Sequence, residues 1–179
     1  MKTQKWLTII AAGVVLLFLS GCELSKYPLI LDVSGKSRTV NVNVSPPNEF
    51  SDSVTIAIAD LRDLTDYDID SIRFYNLTLN VGNNTSPEDA AISGEITVNN
   101  IPLLTFTNVQ VAQFTDEKSI FEKTITGYSY NPLGVVFLLN TLRTQSPSEI
   151  EIKLRVNPIE DPLHFDLTIT LYAQVFANP

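Results

Sequence analysis

The chain has 179 residues, with twelve Lys or Arg against twenty Asp or Glu and a net charge of −8. So acidic a balance argues against nucleic acid as a partner and against an electrostatic grip on anionic lipid. One cysteine and one histidine exclude intrachain disulfides and any multi-Cys or multi-His metal centre within one chain. Phosphate loops and dinucleotide fingerprints are absent, and only seven glycines are present to build one.

In chain order, Lys2 and Lys5 lead an apolar run from Trp6 to Leu19, which Leu19-Ser20-Gly21-Cys22 closes. A charged start, a short apolar centre and small residues before a cut site make a secretory signal. A spanning helix would need about 20 apolar residues. The Leu19-Ser20-Gly21-Cys22 ending resembles the lipobox of bacterial lipoprotein signals. That resemblance implies cleavage between Gly21 and Cys22, with acyl (palmitate-type) chains on the Cys22 thiol and then on its amino group. Each buried methylene adds about 0.8 kcal/mol, and two or more chains anchor a protein stably. The second mature residue is Glu23 rather than the Asp that the resemblance would link to inner-membrane retention. The expected location is therefore the bacterial cell envelope, lipid-anchored at the outer membrane.

Losing residues 1–21 removes Lys2, Lys5 and Trp6, the only tryptophan, and leaves ten basic and twenty acidic residues, a net charge near −10. The remaining 158 residues fit one domain. The expected organisation is a signal peptide over 1–21, a lipidated tether over 22–28 and a single domain over 29–179. The tether spans at most roughly 20 Å, which would hold the folded body close to the lipid headgroups.

Leu29, Leu31 and Val33 alternate, Ser34-Gly35-Lys36-Ser37 carries turn residues, and Val40, Val42 and Val44 alternate again. This pattern predicts a hairpin with Asn41 and Asn43 on its wet face. Pro46-Pro47-Asn48 stops it, and Val54, Ile56 and Ile58 mark the next strand. Asp60 to Asp70 is irregular, with Leu61, Leu64 and Tyr67 spaced for one helical turn or a pinned loop. Ile72 to Val81 is β-branched and aromatic, with Leu77, Leu79 and Val81 on one face. After the loop Gly82–Pro87, a second hairpin runs from Ile92 to Val111 about Asn99-Asn100. Ile120 to Thr126 reads as a strand.

Val135, Leu138, Leu139 and Leu142 fall at helical spacing, so a short helix is predicted around 132–143. Asn131 suits the N-cap, Pro132 the first helical position and Arg143 the negative C-terminal end. A buried strand through Val135-Val136-Phe137 is the competing reading. Ile150, Ile152, Leu154 and Val156 then alternate with charges, and Phe165, Leu167, Ile169, Leu171, Ala173 and Val175 alternate with polar residues. One dry and one wet face per strand predict an all-β fold: an antiparallel β-sandwich, immunoglobulin-like or a similar Greek key, of about eight strands.

Chemistry-bearing motifs are sparse. Asp66-x-Asp68-x-Asp70 invites a calcium reading, yet the EF-hand pattern fails at Ser71 and Leu77. A looser oxygen site drawing on Asp60, Asp63, Asp66, Asp68 and Asp70 is the weak alternative to aspartates that cap a turn. His164 lies between Asp161 and Asp166, but no G-x-S-x-G elbow accompanies it. Paired acids for glycoside cleavage leave no sequence signature. Tyr128-Ser129-Tyr130-Asn131 reads either as an exposed aromatic loop or as packing. Asn76-Leu77-Thr78 and Asn84-Thr85-Ser86 match a glycosylation pattern that has no expected meaning in a bacterial envelope.

The expected function is a non-enzymatic binding or assembly module, held on the membrane through acylated Cys22 and engaging an envelope protein partner. No cofactor is expected. The alternatives are an envelope-polymer hydrolase using acidic residues or His164, and a calcium-stabilised surface adhesin.

Overall fold

The computed structural model describes residues 29–61 and 69–177. Their strands are β1 (Leu29–Val44), β2 (Phe50–Ala57), β3 (Ile69–Gly82), β4 (Ala91–Val98), β5 (Ile101–Gln110), β6 (Lys118–Ser119), β7 (Tyr128–Tyr130), β8 (Glu149–Pro158) and β9 (Leu163–Ala177). One α-helix, α1 (Pro132–Thr144), lies between β7 and β8. The first sheet has the order β1-β9-β3-β6 and the second β2-β8-β4-β5-β7. All the pairings are antiparallel. This is the expected β-sandwich with one short helix.

Successive strands β1, β2, β3 and β4 alternate between the sheets, and β4 with β5 is the one consecutive pair that hydrogen-bonds among the described strands. Such winding is the double Greek key of a jelly roll, a different order from the immunoglobulin form. Alternation delivers one apolar side chain in two to the interior. Val40, Val42 and Val44 of β1 and the odd-numbered residues Leu163 to Ala173 of its neighbour β9 face Ile150, Ile152, Leu154 and Val156 of β8, in the other sheet, across one core. On β3 the phase changes. Tyr75 is an extra residue between the Phe74–Ala173 and Asn76–Tyr172 pairs. This bulge moves the buried set from Ile72 and Phe74 to Leu77, Leu79 and Val81.

Two expectations of regular structure are overturned. The predicted hairpin over Leu29–Val44 is a single strand, paired with β9 from Leu29–Ala177 to Val44–Leu163. Gly35 makes no turn; it lies opposite Tyr172, and a Cβ there would sit 2.7 Å from the tyrosine Cε1. The glycine makes room for a ring. The predicted strand over Ile120–Thr126 is turn and coil. There the Glu122 carboxylate accepts from the Lys123 and Thr124 amides and the Thr124 hydroxyl, a local alternative to a ladder. Ile120 and Ile125 are still buried, as isolated plugs.

The Asn99-Asn100 hairpin forms as expected, both residues holding positive φ, +47° and +66°, as a type I′ turn requires. The helix also forms rather than the competing strand. Asn131 caps it by accepting from the Leu133 amide, with Pro132 at its start. Its buried side is rotated from the predicted stripe: Gly134, Leu138, Thr141 and Leu142 are buried, while Leu139 is exposed. Gly134 explains the rotation. A Cβ there would lie 2.4 Å from the Pro102 carbonyl oxygen, so the helix seats its glycine edge directly on the start of β5.

The two sheets are unequal in length. Arg38 on β1 donates to the Thr55 carbonyl and to Asp60, just at and beyond the end of β2. The residues of β1 before Arg38 therefore overhang the second sheet. The helix α1 packs on β3 and β5, and Tyr130 just ahead of it reaches through Phe121 to Phe74 of β3, which is in register with Ala173 of β9 and so with Ser34 of the overhang. The end where Leu29 enters and Ala177 leaves is termed proximal. The distal end holds the β1–β2, β3–β4 and β8–β9 connections.

Candidate functional site

Most sequence-predicted site residues are dispersed. Gly21, Cys22 and the tether lie outside the described residues, as do Asp63, Asp66 and Asp68, and the Asp70 side chain is likewise not among those described. Asp60 is held in a salt bridge with Arg38 at 2.8 Å. No group of three or more His, Cys, Asp or Glu is poised to hold a metal ion among the described residues. His164 is exposed on the outer face of the first sheet, opposite Asn43. Its amide donates to the Ser86 hydroxyl at 2.8 Å and its carbonyl accepts from Thr85. The neighbouring Asp166 is engaged elsewhere. It accepts from the amide groups of Asn83 and Asn41, each at 2.7 Å. These bonds, Asn83 first, hold its carboxyl below the usual aspartate range, with a smaller contribution from His164.

What the fold does assemble is the outer face of the first sheet. In register across β1, β9 and β3 run Ser37–Thr170–Thr78, Thr39–Thr168–Asn80 and Asn41–Asp166–Gly82. The hydroxyls of Ser37 and Thr170 lie 2.9 Å apart, and those of Thr39 and Thr168 lie 3.1 Å apart. Toward the proximal end, the Tyr172 hydroxyl donates to Glu117 at 2.9 Å, and Thr78 donates to the same carboxylate. Glu117 raises the tyrosine's pKa, with burial adding to the effect. The face is polar, and its groups are matched to one another. Ser37 was expected in a turn, so this grid emerges only once β1 is seen to pair with β9.

The outer face of the second sheet is built on charge. Arg155 of β8 donates to Glu49 at 2.9 Å and lies 3.5 Å from Glu95 of β4. The hydrogen bond from Arg155 lowers the pKa of Glu49. Here Gly94 lets β4 approach β8, since a Cβ would lie 2.1 Å from the Arg155 carbonyl oxygen.

The two tyrosines of the predicted aromatic loop part company. Tyr128 is buried against Phe106 and Phe114, and burial pushes its hydroxyl pKa up, with Glu122 adding to the shift. Tyr130 is partly exposed and meets Phe121 edge-on at 5.2 Å, while Phe121 in turn contacts Phe74. Beyond Tyr130, α1 exposes Leu133, Val136 and Leu139. The helix was legible in the sequence, but this outward apolar row depends on the rotation set by Gly134.

No family model matches the chain, and no curated protein matches it. A solved structure described as "Crystal structure of decameric BFDV Capsid Protein" is similar over 83% of this chain and 98% of that one. The identity is 11% and the TM-score 0.30.

Proposed function

We propose that this chain is an outer-membrane lipoprotein of the bacterial envelope, held by acylated Cys22, whose β-sandwich is a non-enzymatic binding or assembly module. The anchor rests on Leu19-Ser20-Gly21-Cys22. The binding role rests on one observation: β1 is a sixteen-residue strand at the edge of its sheet, laddered to β9 along its length. An edge strand offers unpaired amides and carbonyls to an incoming strand. Arg38 interrupts this edge, bonding its own neighbour's carbonyl at Ser37 and tying β1 to β2 at Thr55. A charge in the middle of an edge discourages indiscriminate pairing and leaves the stretch from Thr39 to Val44 for a specific one.

Crosslinking in the native membrane tests this reading, with a photo-reactive residue placed at Asn43 on β1 and the non-acylated Cys22→Ala chain as control. One recurrent envelope protein, captured by the anchored chain and lost with Cys22→Ala, is the expected result. Adducts no richer than those of the control would remove the binding role.

A further inference from the structure

Among the described residues, the exposed large apolar side chains are unevenly placed. Five of them, Phe121, Tyr130, Leu133, Val136 and Leu139, belong to α1 and the segment leading into it. On the helix the exposures are 72% for Leu133, 50% for Val136 and 42% for Leu139. These three recur at every third residue, so they share one side of α1, away from buried Leu138 and Leu142. The helix carries no acid, and its one charge is Arg143 in the last turn. Acids stand at both ends of the sandwich: Asp60, held by Arg38, and Glu149, opposite Ala57, lie toward the proximal end. Glu49, Glu88, Asp89, Glu160 and Asp161 all lie in the distal connections.

The chain itself says which of these regions lies nearer a membrane. β1 begins at Leu29 on the proximal overhang, and α1, on β3 and β5, follows Tyr130 at the same end, where Phe121 joins that tyrosine to Phe74. From Cys22 to Leu29 there are about seven residue steps, a reach of at most roughly 25 Å. Resting on the lipoprotein reading above, we infer that α1 docks on the bilayer surface, with Leu133, Val136 and Leu139 set into the headgroup boundary. Phe121 and Tyr130 flank them. Membrane-surface binding grows with the apolar area it buries, so an exposed apolar row near the anchored end adds to the hold of the acyl chains, and a tyrosine such as Tyr130 favours the same depth. Docking there turns the distal acids away from lipid phosphates. The anchor then fixes an orientation as well as a location, leaving the distal end and the first sheet's polar face for a partner.

Tryptophan fluorescence tests the docking, because Trp6 is the chain's only tryptophan and leaves with the signal. Val136→Trp reports on the helix, and Ile159→Trp, at an exposed distal site, is the reference. Each full-length acylated chain is reconstituted in vesicles of phosphatidylethanolamine and phosphatidylglycerol with brominated acyl chains. Mass spectrometry first establishes the acyl groups on Cys22. The expected result is emission at position 136 that is blue-shifted and quenched by the brominated lipid, with emission at 159 unchanged. An acylated chain with no quenching at 136, or with equal quenching at both sites, would overturn the docking while leaving the anchor standing. A blue shift at 136 in the absence of lipid that rises with protein concentration would assign the face to a second copy instead. A chain without acyl groups on Cys22 would overturn the anchor, and the docking with it.

Discussion

The outer faces of the two sheets solve one problem with different chemistry. On the first sheet, hydroxyls pair with hydroxyls across strands, as in Ser37–Thr170 and Thr39–Thr168, and the amides of Asn41 and Asn83 bracket Asp166. On the second, one guanidinium, Arg155, gathers Glu49, just ahead of β2, and Glu95 of β4. Neutral pairs depend on geometry alone, whereas exposed ion pairs also depend on the surrounding salt. Each face contains a glycine for a different neighbour: Gly35 accommodates a tyrosine ring, and Gly94 accommodates another strand's backbone. The difference teaches where this sandwich can yield and where it cannot.

The same substitution on each side separates the two most sharply. Gly94→Ala forces a Cβ against the Arg155 carbonyl and Val156 Cα, which cannot move without parting β4 from β8. The expected loss is about 3 kcal/mol, the upper end for overpacking, read as a lower denaturation midpoint in urea. Gly35→Ala meets the side of the Tyr172 ring, which can swing outward. About 1 kcal/mol is expected in the same titration. Losses of equal size would show that both positions are equally rigid.

Salt sharpens the contrast further. Arg155→Ala should lower the melting temperature slightly, and the gap to the unaltered chain should close as salt rises and screens the pair. Thr39→Val on the first sheet should show a gap that salt leaves unchanged. The smallest effect belongs to Asp166→Asn. The folded protein holds this carboxyl below its usual range, so its contribution is present above the unfolded value and lost as pH falls through the folded one. The difference in melting temperature between the two chains should therefore shrink as pH drops through and below the ordinary aspartate range. A difference constant across that interval would mean that Asn41 and Asn83 do not favour the charged form.

Strands whose two faces differ in polarity were legible: β8 and β9 alternate along their length, and the Asn99-Asn100 hairpin carries its own turn chemistry. Strand β1 reads in sequence as a hairpin because Ser34-Gly35-Lys36-Ser37 has turn composition, and the reason for Gly35 is a tyrosine far along the chain. A glycine that serves a neighbour looks in sequence like a glycine that serves a bend. The Tyr75 bulge was hidden for a related reason: Ile72 to Val81 is rich in apolar residues throughout, so periodicity does not reveal the change of phase. The helix was visible from its cap and spacing, whereas its rotation followed from Gly134 meeting Pro102, a contact between elements. The polar grid on the first sheet belongs to register, which a single strand does not contain.

The pairing of β1 with β9 also has a consequence in time. These strands lie at opposite ends of the described chain, yet share a ladder from Leu29–Ala177 to Val44–Leu163. A chain that emerges from its N-terminus presents sixteen residues of β1 with no sheet to join until the final fifteen-residue strand arrives. Pairings so distant in sequence close slowly and leave strand edges open meanwhile. Every synthesis thus includes an interval in which the valines of β1 lack their partner strand, and the first sheet cannot close before β9 appears.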